Sequence, residues 1–229
     1  MTQKMPLGVL SLETQFPRLL GDIGNPDSYD FPVIIERVTG AGPARVVELQ
    51  DEALLAPFIE AGQLLIDRGA CAITTTCGFL GLFQRQMSEV LSVPVCCSSL
   101  AQIPAIQFAL APSKQLAVLT ISRETLTPRH FPEPIDCSKL NIHGLPENCE
   151  FRRVYLGNAT DIDRALAREE LIEAARLATK AENIGALLLE CSNMVPFAHD
   201  IQKAAGVPIY SYDTMVRWLY AAAQPTEFS

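Results

Sequence analysis

The sequence predicts an α/β fold of two pseudo-symmetric halves, each a parallel sheet flanked by helices, with a cleft between them. Three observations carry that expectation. Short apolar runs rich in β-branched residues alternate with longer amphipathic segments. Two stretches of chain repeat one pattern at equal internal spacing. A proline-punctuated segment at residues 102–113, with Pro104 and Pro112, lies between the two patterns.

In chain order, the strand readings are 7–12, 45–49, 71–76, 93–97, 115–121, 152–156, 186–190 and 207–210. They are apolar along their whole length rather than alternating, as parallel strands covered on both faces must be. Residues 52–68 place Leu54, Leu55, Phe58, Ile59, Leu64 and Leu65 at spacings of three and four and read as a helix. Residues 168–183 do the same with Leu171, Ile172, Ala175 and Leu177, and a last helix covers 212–223. Residues 13–32 are long for a loop in a compact domain, and such loops are often lids or binding loops.

The repeat is specific. Gly69-Ala70-Cys71-Ala72-Ile73-Thr74-Thr75-Thr76-Cys77 and Gly185-Ala186-Leu187-Leu188-Leu189-Glu190-Cys191 each run from Gly-Ala through a strand to a cysteine. Pro94 follows Cys77 by seventeen residues, and Pro208 follows Cys191 by the same number. Gly8-Val9-Leu10-Ser11 pairs in the same way with Ala117-Val118-Leu119-Thr120. The expected division is residues 1–105 plus 212–229 for the first half and 106–211 for the second, with the last helix returning to the first.

Composition narrows the function. Hydrophobic residues are 48% of the 229 and charged residues 19%, enough apolar material for a real core. A net charge of −8 disfavours nucleic acid or an anionic membrane as partner. No run approaches the ~20 apolar residues of a membrane span, and the start of the chain has no apolar h-region. Seven cysteines, an odd number, fit free thiols in a reducing cytoplasm. No CxxC pair occurs and the three histidines stand apart from the cysteines, so no metal site is expected. No nicotinamide, flavin or phosphate-binding motif is visible, so no cofactor is expected.

In open α/β sheets ligands bind beyond the carboxyl ends of the strands. Cys77 and Cys191 sit at that end, each at a strand-to-helix turn, where unpaired N–H groups favour thiolate. The expectation is that their pKa values fall from ~8.5 toward neutrality. Two opposed thiols suit the removal of a proton from one face of a carbon and its return to the other. The resulting enediolate needs donors, and the candidates are Gly78 and Phe79 after Cys77 and Ser192 and Asn193 after Cys191. Ser11, Thr76 and Thr120 are further candidates for holding a substrate carboxylate. Arg18 matches a carboxylate bidentately, and Glu13 and Arg18 read either as lid residues or as local ion pairs with Asp22. Glu190 alternates to the other side of its strand from Cys191. Two roles remain open for it, raising the thiol's pKa or binding a backbone group. Cys71, Cys96 and Cys97 read as packing residues, Cys137 and Cys149 as incidental, and the histidines as surface or locally bonded residues.

These motifs resemble the aspartate/glutamate racemase superfamily, which includes hydantoin and allantoin racemases. Cys191-Ser192-Asn193-Met194 resembles its second-cysteine motif, and Thr76-Cys77-Gly78-Phe79 stands in the place of its first, 114 residues earlier. Glutamate racemases of the family read Cys-Asn-Thr and Cys-Thr-His at these points. The present context looks closer to the hydantoin-racemase branch. The resemblance implies a cofactor-independent isomerase of amino-acid metabolism, acting on an amino acid, a related small carboxylate or a hydantoin. It also implies two flavodoxin-like halves with the active site in the cleft between them, and a cytoplasmic homodimer with Cys77 and Cys191 as paired acid and base. Alternatives are an enzyme like maleate isomerase or arylmalonate decarboxylase, using one cysteine covalently or as proton donor, and a non-catalytic carboxylate-binding protein.

Overall fold

The computed structural model describes residues 4–227. Two four-stranded sheets, parallel throughout, organise the chain. In the first, β1 (Leu7–Leu12), β2 (Val33–Val38), β3 (Ala72–Thr75) and β4 (Val95–Cys96) lie in the order β2-β1-β3-β4. In the second, β5 (Gln115–Thr120), β6 (Asn141–Gly144), β7 (Ile184–Leu189) and β8 (Ile209–Tyr210) lie in the order β6-β5-β7-β8. The two orders are the same, so the repeated strands occupy equivalent places: β1 matches β5, and β3 matches β7.

Helices cover the sheets: α1 (Leu55–Asp67), α2 (Gln84–Val90), α3 (Ile103–Ala109), α4 (Glu150–Tyr155), α5 (Arg164–Ala178), α6 (Ala198–Ala205) and α7 (Tyr212–Ala223). The central strands are buried on both faces, every residue of β1 and β3 included. One apolar core runs from Leu10 and Ile73 of the first sheet into Val118 and Leu188 of the second. A second cluster is made where α7 lays Tyr212, Met215, Val216 and Leu219 against Leu7, Val9 and Ala72. No helix among the described residues is long and apolar enough to cross a membrane.

Two strand readings are corrected. Residues 45–49 lie in a helical turn, Ala44–Glu48, with i→i+5 bonding. Leu49 N–H donates to the Ala44 carbonyl, so the β-branched pair Val46-Val47 is buried by a local coil rather than by sheet pairing. The sheet edge is taken instead by β2, whose VIIERV sequence is half-exposed, as an edge strand's is. Residues 152–156 fall in α4 and the turn after it. Phe151, Val154 and Tyr155 are buried at helical spacing, and Cys149 caps the helix, its sulfur accepting from Arg152 N–H at 3.4 Å. The corresponding edge is β6, a polar stretch with no strand signal in its sequence.

Smaller shifts have local causes. Residues 52–54 form a 3₁₀ turn ahead of α1, because the Asp51 carboxylate accepts from Ala53 N–H. α5 begins four residues before its apolar pattern, where Asp163 caps Ala165 and Leu166 N–H, and it ends at Ala178. The junction at 102–113 is largely helical, with Pro104 in the first turn of α3. α7 spans the expected residues, capped by Ser211.

Phe58 is fully buried, its ring 6.2 Å from that of Phe83, on the helix that roofs the first sheet. Phe58→Ala is expected to lower unfolding free energy by about 3–5 kcal/mol through the lost burial and the cavity left behind, measurable by urea denaturation.

Candidate active site

Cys77 and Cys191 are built by one device used twice. Each follows a buried strand, has extended backbone, and caps a 3₁₀ turn that runs on into a helix. Gly78–Phe83 leads into α2, and Ser192–Phe197 leads into α6. The N–H groups of Phe79 and Leu80 face the Cys77 sulfur, and that of Asn193 faces the Cys191 sulfur. Both cysteines line a single narrow cavity. Its wall is otherwise largely apolar: Leu12, Phe16, Val47, Phe79, Ile121 and Tyr155, with Thr76, Glu190 and Asn193 as polar members.

The two cysteine turns are tied directly. Ser192 Oγ donates to the Thr76 carbonyl at 2.7 Å, so the residue after one cysteine holds the residue before the other. Ser99 Oγ adds a second tie, donating to the Leu189 carbonyl at 2.8 Å. The Thr76 hydroxyl accepts from Leu12 N–H and from Arg18, which links β1 and the 13–32 loop to the same point.

That loop reaches the site through Phe16 and Asp22. Asp22 is buried and accepts from Arg18 at 3.1 Å, from Gly24 N–H at 2.7 Å and from the Asn193 amide. The Arg18 guanidinium stacks on the Phe16 ring, 4.6 Å from its centroid, and that ring packs edge-on against Tyr155. Arg18 is therefore engaged by Asp22 and stands behind the cavity wall. Glu13 is exposed and accepts from Gly40 N–H, away from the cavity.

Of the remaining candidates, Thr76, Gly78, Phe79 and Asn193 are brought to the cavity wall. Ser11, Thr120 and Ser192 are not among the residues lining it. Ser11 Oγ donates to the Leu12 carbonyl, Thr120 to Glu190, and Ser192 to Thr76. Cys71, Cys96, Cys97, Cys137 and Cys149 also lie off the wall. His130 is buried and bonded locally to Thr127.

The expected fall in thiol pKa is not what the closed cavity produces. Burial, followed by the neighbouring Glu190, pushes Cys77 up to about 12, against the pull of the Phe79 N–H and of Arg18. Cys191 is raised well above its ordinary value, first by burial, then by Glu190 and Cys77. The helix-terminal donors are present, but desolvation outweighs them.

One feature went unread and one reading is corrected. Tyr155 joins the wall because residues 150–155 are helical. Glu190, expected on the other side of its strand from Cys191, is fully buried and lines the same cavity, where it raises the thiol's pKa, one of the two roles left open for it. Its Oε2 accepts from the Thr120 hydroxyl at 2.9 Å, and its Oε1 has no hydrogen-bond partner among the described residues. Burial raises it to about 7, against the pull of Thr120. Its carboxyl fills the space a side chain at residue 78 would need, which accounts for the Cys-Gly-Phe order there.

A buried cavity with two N-capping cysteines between matched parallel sheets defines a class. The chain has the fold of the aspartate/glutamate racemase superfamily, as its cysteine motifs suggested. It superposes on glutamate racemase from Bacillus anthracis with a TM-score of 0.60 at 16% identity, covering 97% of this chain and 84% of that one. For allantoin racemase from Pseudomonas fluorescens the figures are 0.58, 16%, 97% and 99%. For an arylmalonate decarboxylase they are 0.58, 14%, 96% and 94%. No family model matches the chain.

In sequence the chain is similar to a group with a different printed activity. It is 31% identical over 230 residues to dimethylsulfoniopropionate lyase 7 of Emiliania huxleyi, covering 94% of this chain and 66% of that protein. It is 28% identical over 216 residues to the dimethylsulfoniopropionate lyase of Durusdinium, covering 89% and 70%. For lyase 3 of Emiliania huxleyi the identity is 30% over 227 residues, covering 94% and 59%. The chain thus spans roughly two thirds of the length of these relatives.

Gly78→Ala would bring a methyl group to 2.5 Å from the Glu190 carbonyl oxygen and onto its carboxyl. The variant is expected to lose about 1–3 kcal/mol of stability in urea unfolding, the range for overpacking a filled site.

Proposed function

We propose that this chain is a cofactor-independent lyase that removes dimethyl sulfide from dimethylsulfoniopropionate or a closely similar β-sulfonio carboxylate. The observation that carries the reading is similarity to dimethylsulfoniopropionate lyases over 94% of the chain, with both cysteines on one cavity.

Racemisation and this elimination share a first step, loss of the proton on the carbon next to a carboxylate. They part at the next carbon. An amino acid has no good leaving group there, and the proton must return. A sulfonium departs as a neutral sulfide that takes the bonding electron pair and needs no acid. A thiolate at Cys77 or Cys191 takes the proton. The developing enediolate is met by N–H groups of the first turns after each cysteine and by Thr76. The sulfonium faces Phe16, Phe79 and Tyr155, whose rings attract a cation that donates no hydrogen bond. The expected setting is a reducing cytoplasm, with a small carboxylate as the only ligand and a homodimer as the assembly.

Racemase or epimerase action is the second reading, favoured by the presence of both cysteines at matched positions. One experiment separates the two. The protein is incubated in D₂O with dimethylsulfoniopropionate and, in parallel, with aspartate, glutamate, allantoin and phenylmalonate. Dimethyl sulfide and acrylate in equal amounts are expected from the first alone, with Cys77→Ser and Cys191→Ser each lowering kcat by about 10²–10⁴-fold. Deuterium entering Cα of an amino acid or allantoin, with no sulfide released, selects the racemase reading instead.

A further inference from the structure

We propose that Glu190 is the third acid–base group of this site: it accepts a proton from the cysteine thiols and passes it to water. The placement carries the argument. Glu190 is the chain neighbour of Cys191, and its Oε1 packs on Gly78, the chain neighbour of Cys77. It therefore shares one wall with both cysteines, and its charge is felt at each sulfur. Oε2 is clamped by Thr120, while Oε1 is buried with no partner among the described residues. Holding Thr120 requires only an acceptor, which glutamine would supply without the cost of a buried ionisable group. A free carboxylate oxygen in a cavity with two thiols is a proton acceptor in place.

The charged and titratable groups around it are few. Cys77 faces it from the end of β3, and Tyr212, donating to the Cys97 carbonyl, from α7. Asp22 acts on Cys191, and Arg18, already paired with Asp22, acts on Cys77. No cation in this set is left to hold Glu190 ionised.

The inference rests on the lyase reading for its role in turnover. Elimination converts a zwitterion into acrylate, a neutral sulfide and one proton. The thiolate breaks the Cα–H bond and becomes thiol, the C–H electron pair forms the new C=C bond, and the C–S pair leaves with sulfur. A thiol held near 12 returns that proton to water slowly at neutral pH. Transfer from Cys–SH to Glu190–COO⁻ is uphill and gives the thiolate as a minor form beside a protonated carboxyl, which, with its pKa raised to about 7, passes the proton on to water.

Two measurements test this. In the ligand-free protein, iodoacetamide alkylation of Cys77 and Cys191 is followed by mass spectrometry from pH 5.5 to 9. The wild-type rate should climb tenfold per pH unit up to about 7 and then flatten. There Glu190 ionises, and the reactive species becomes the form with its proton on the carboxyl and its charge on sulfur. Glu190→Gln should climb without flattening. A wild-type line with no break overturns the proposal without recourse to any variant. With dimethylsulfoniopropionate as substrate, Glu190→Gln should lower kcat about 100-fold with KM nearly unchanged. The acidic limb of the profile near pH 7 should disappear, and Glu190→Asp should restore part of both. Glu190→Gln turnover within threefold of wild type, with the same limb, overturns it as well. A break in the alkylation line with no sulfide released from any form defeats the substrate reading and leaves the role of Glu190 standing.

Discussion

The hydrogen bond from Ser192 Oγ to the Thr76 carbonyl is the contact on which the site depends. Two β-strands from different sheets end there, and each is followed two residues later by a cysteine. Matched topology places both sulfurs at strand ends, the core shared by the two sheets packs those ends together, and this bond fixes one cysteine turn against the other. The bond is buried, so water cannot replace it, and loss of either partner would leave a polar group unpaired at the junction. Thr76 extends the tie through its hydroxyl to Leu12 and Arg18, and Ser99 adds a second tie to the end of β7.

Charge in this region is handled in two opposite ways. Asp22 is buried but fully satisfied by Arg18, Gly24 and Asn193, and it anchors the 13–32 loop to the second half. Glu190 is buried and half satisfied, with one oxygen packed on Gly78 and unpartnered among the described residues. The first arrangement is that of a structural clasp. The second leaves a group whose protonation responds to what lies beside it.

The comparisons join two chemistries in one fold. The structural neighbours include racemases and a decarboxylase, while the sequence relatives are named as lyases. On the proposed reading all three reaction types pass through negative charge next to a carboxylate, met by the N–H groups of the paired 3₁₀ turns. What distinguishes them is what else the substrate carries and which wall groups meet it. Here the wall is largely aromatic and aliphatic, with a carboxyl oxygen unpartnered among the described residues.

The class of fold, the equivalence of the two halves and the two cysteines were legible in the chain because they depend on local pattern. Buried parallel strands must be apolar, helices must be amphipathic, and a repeated strand-to-helix turn puts its last residue at the same place each time. Edge strands β2 and β6 were not legible, since exposure on one side frees them from that pattern. Residues 45–49 and 152–156 misled for the converse reason: short apolar runs bury equally well as a turn of helix. The thiol pKa, the engagement of Thr120 by Glu190 and of Ser192 by Thr76, and the position of Tyr155 all followed from contacts between distant segments. Sequence by itself determined which chemical groups stand at the strand ends. Tertiary structure alone decided which of them share a desolvated space, because burial and pairing are properties of neighbours the chain brings together only when folded.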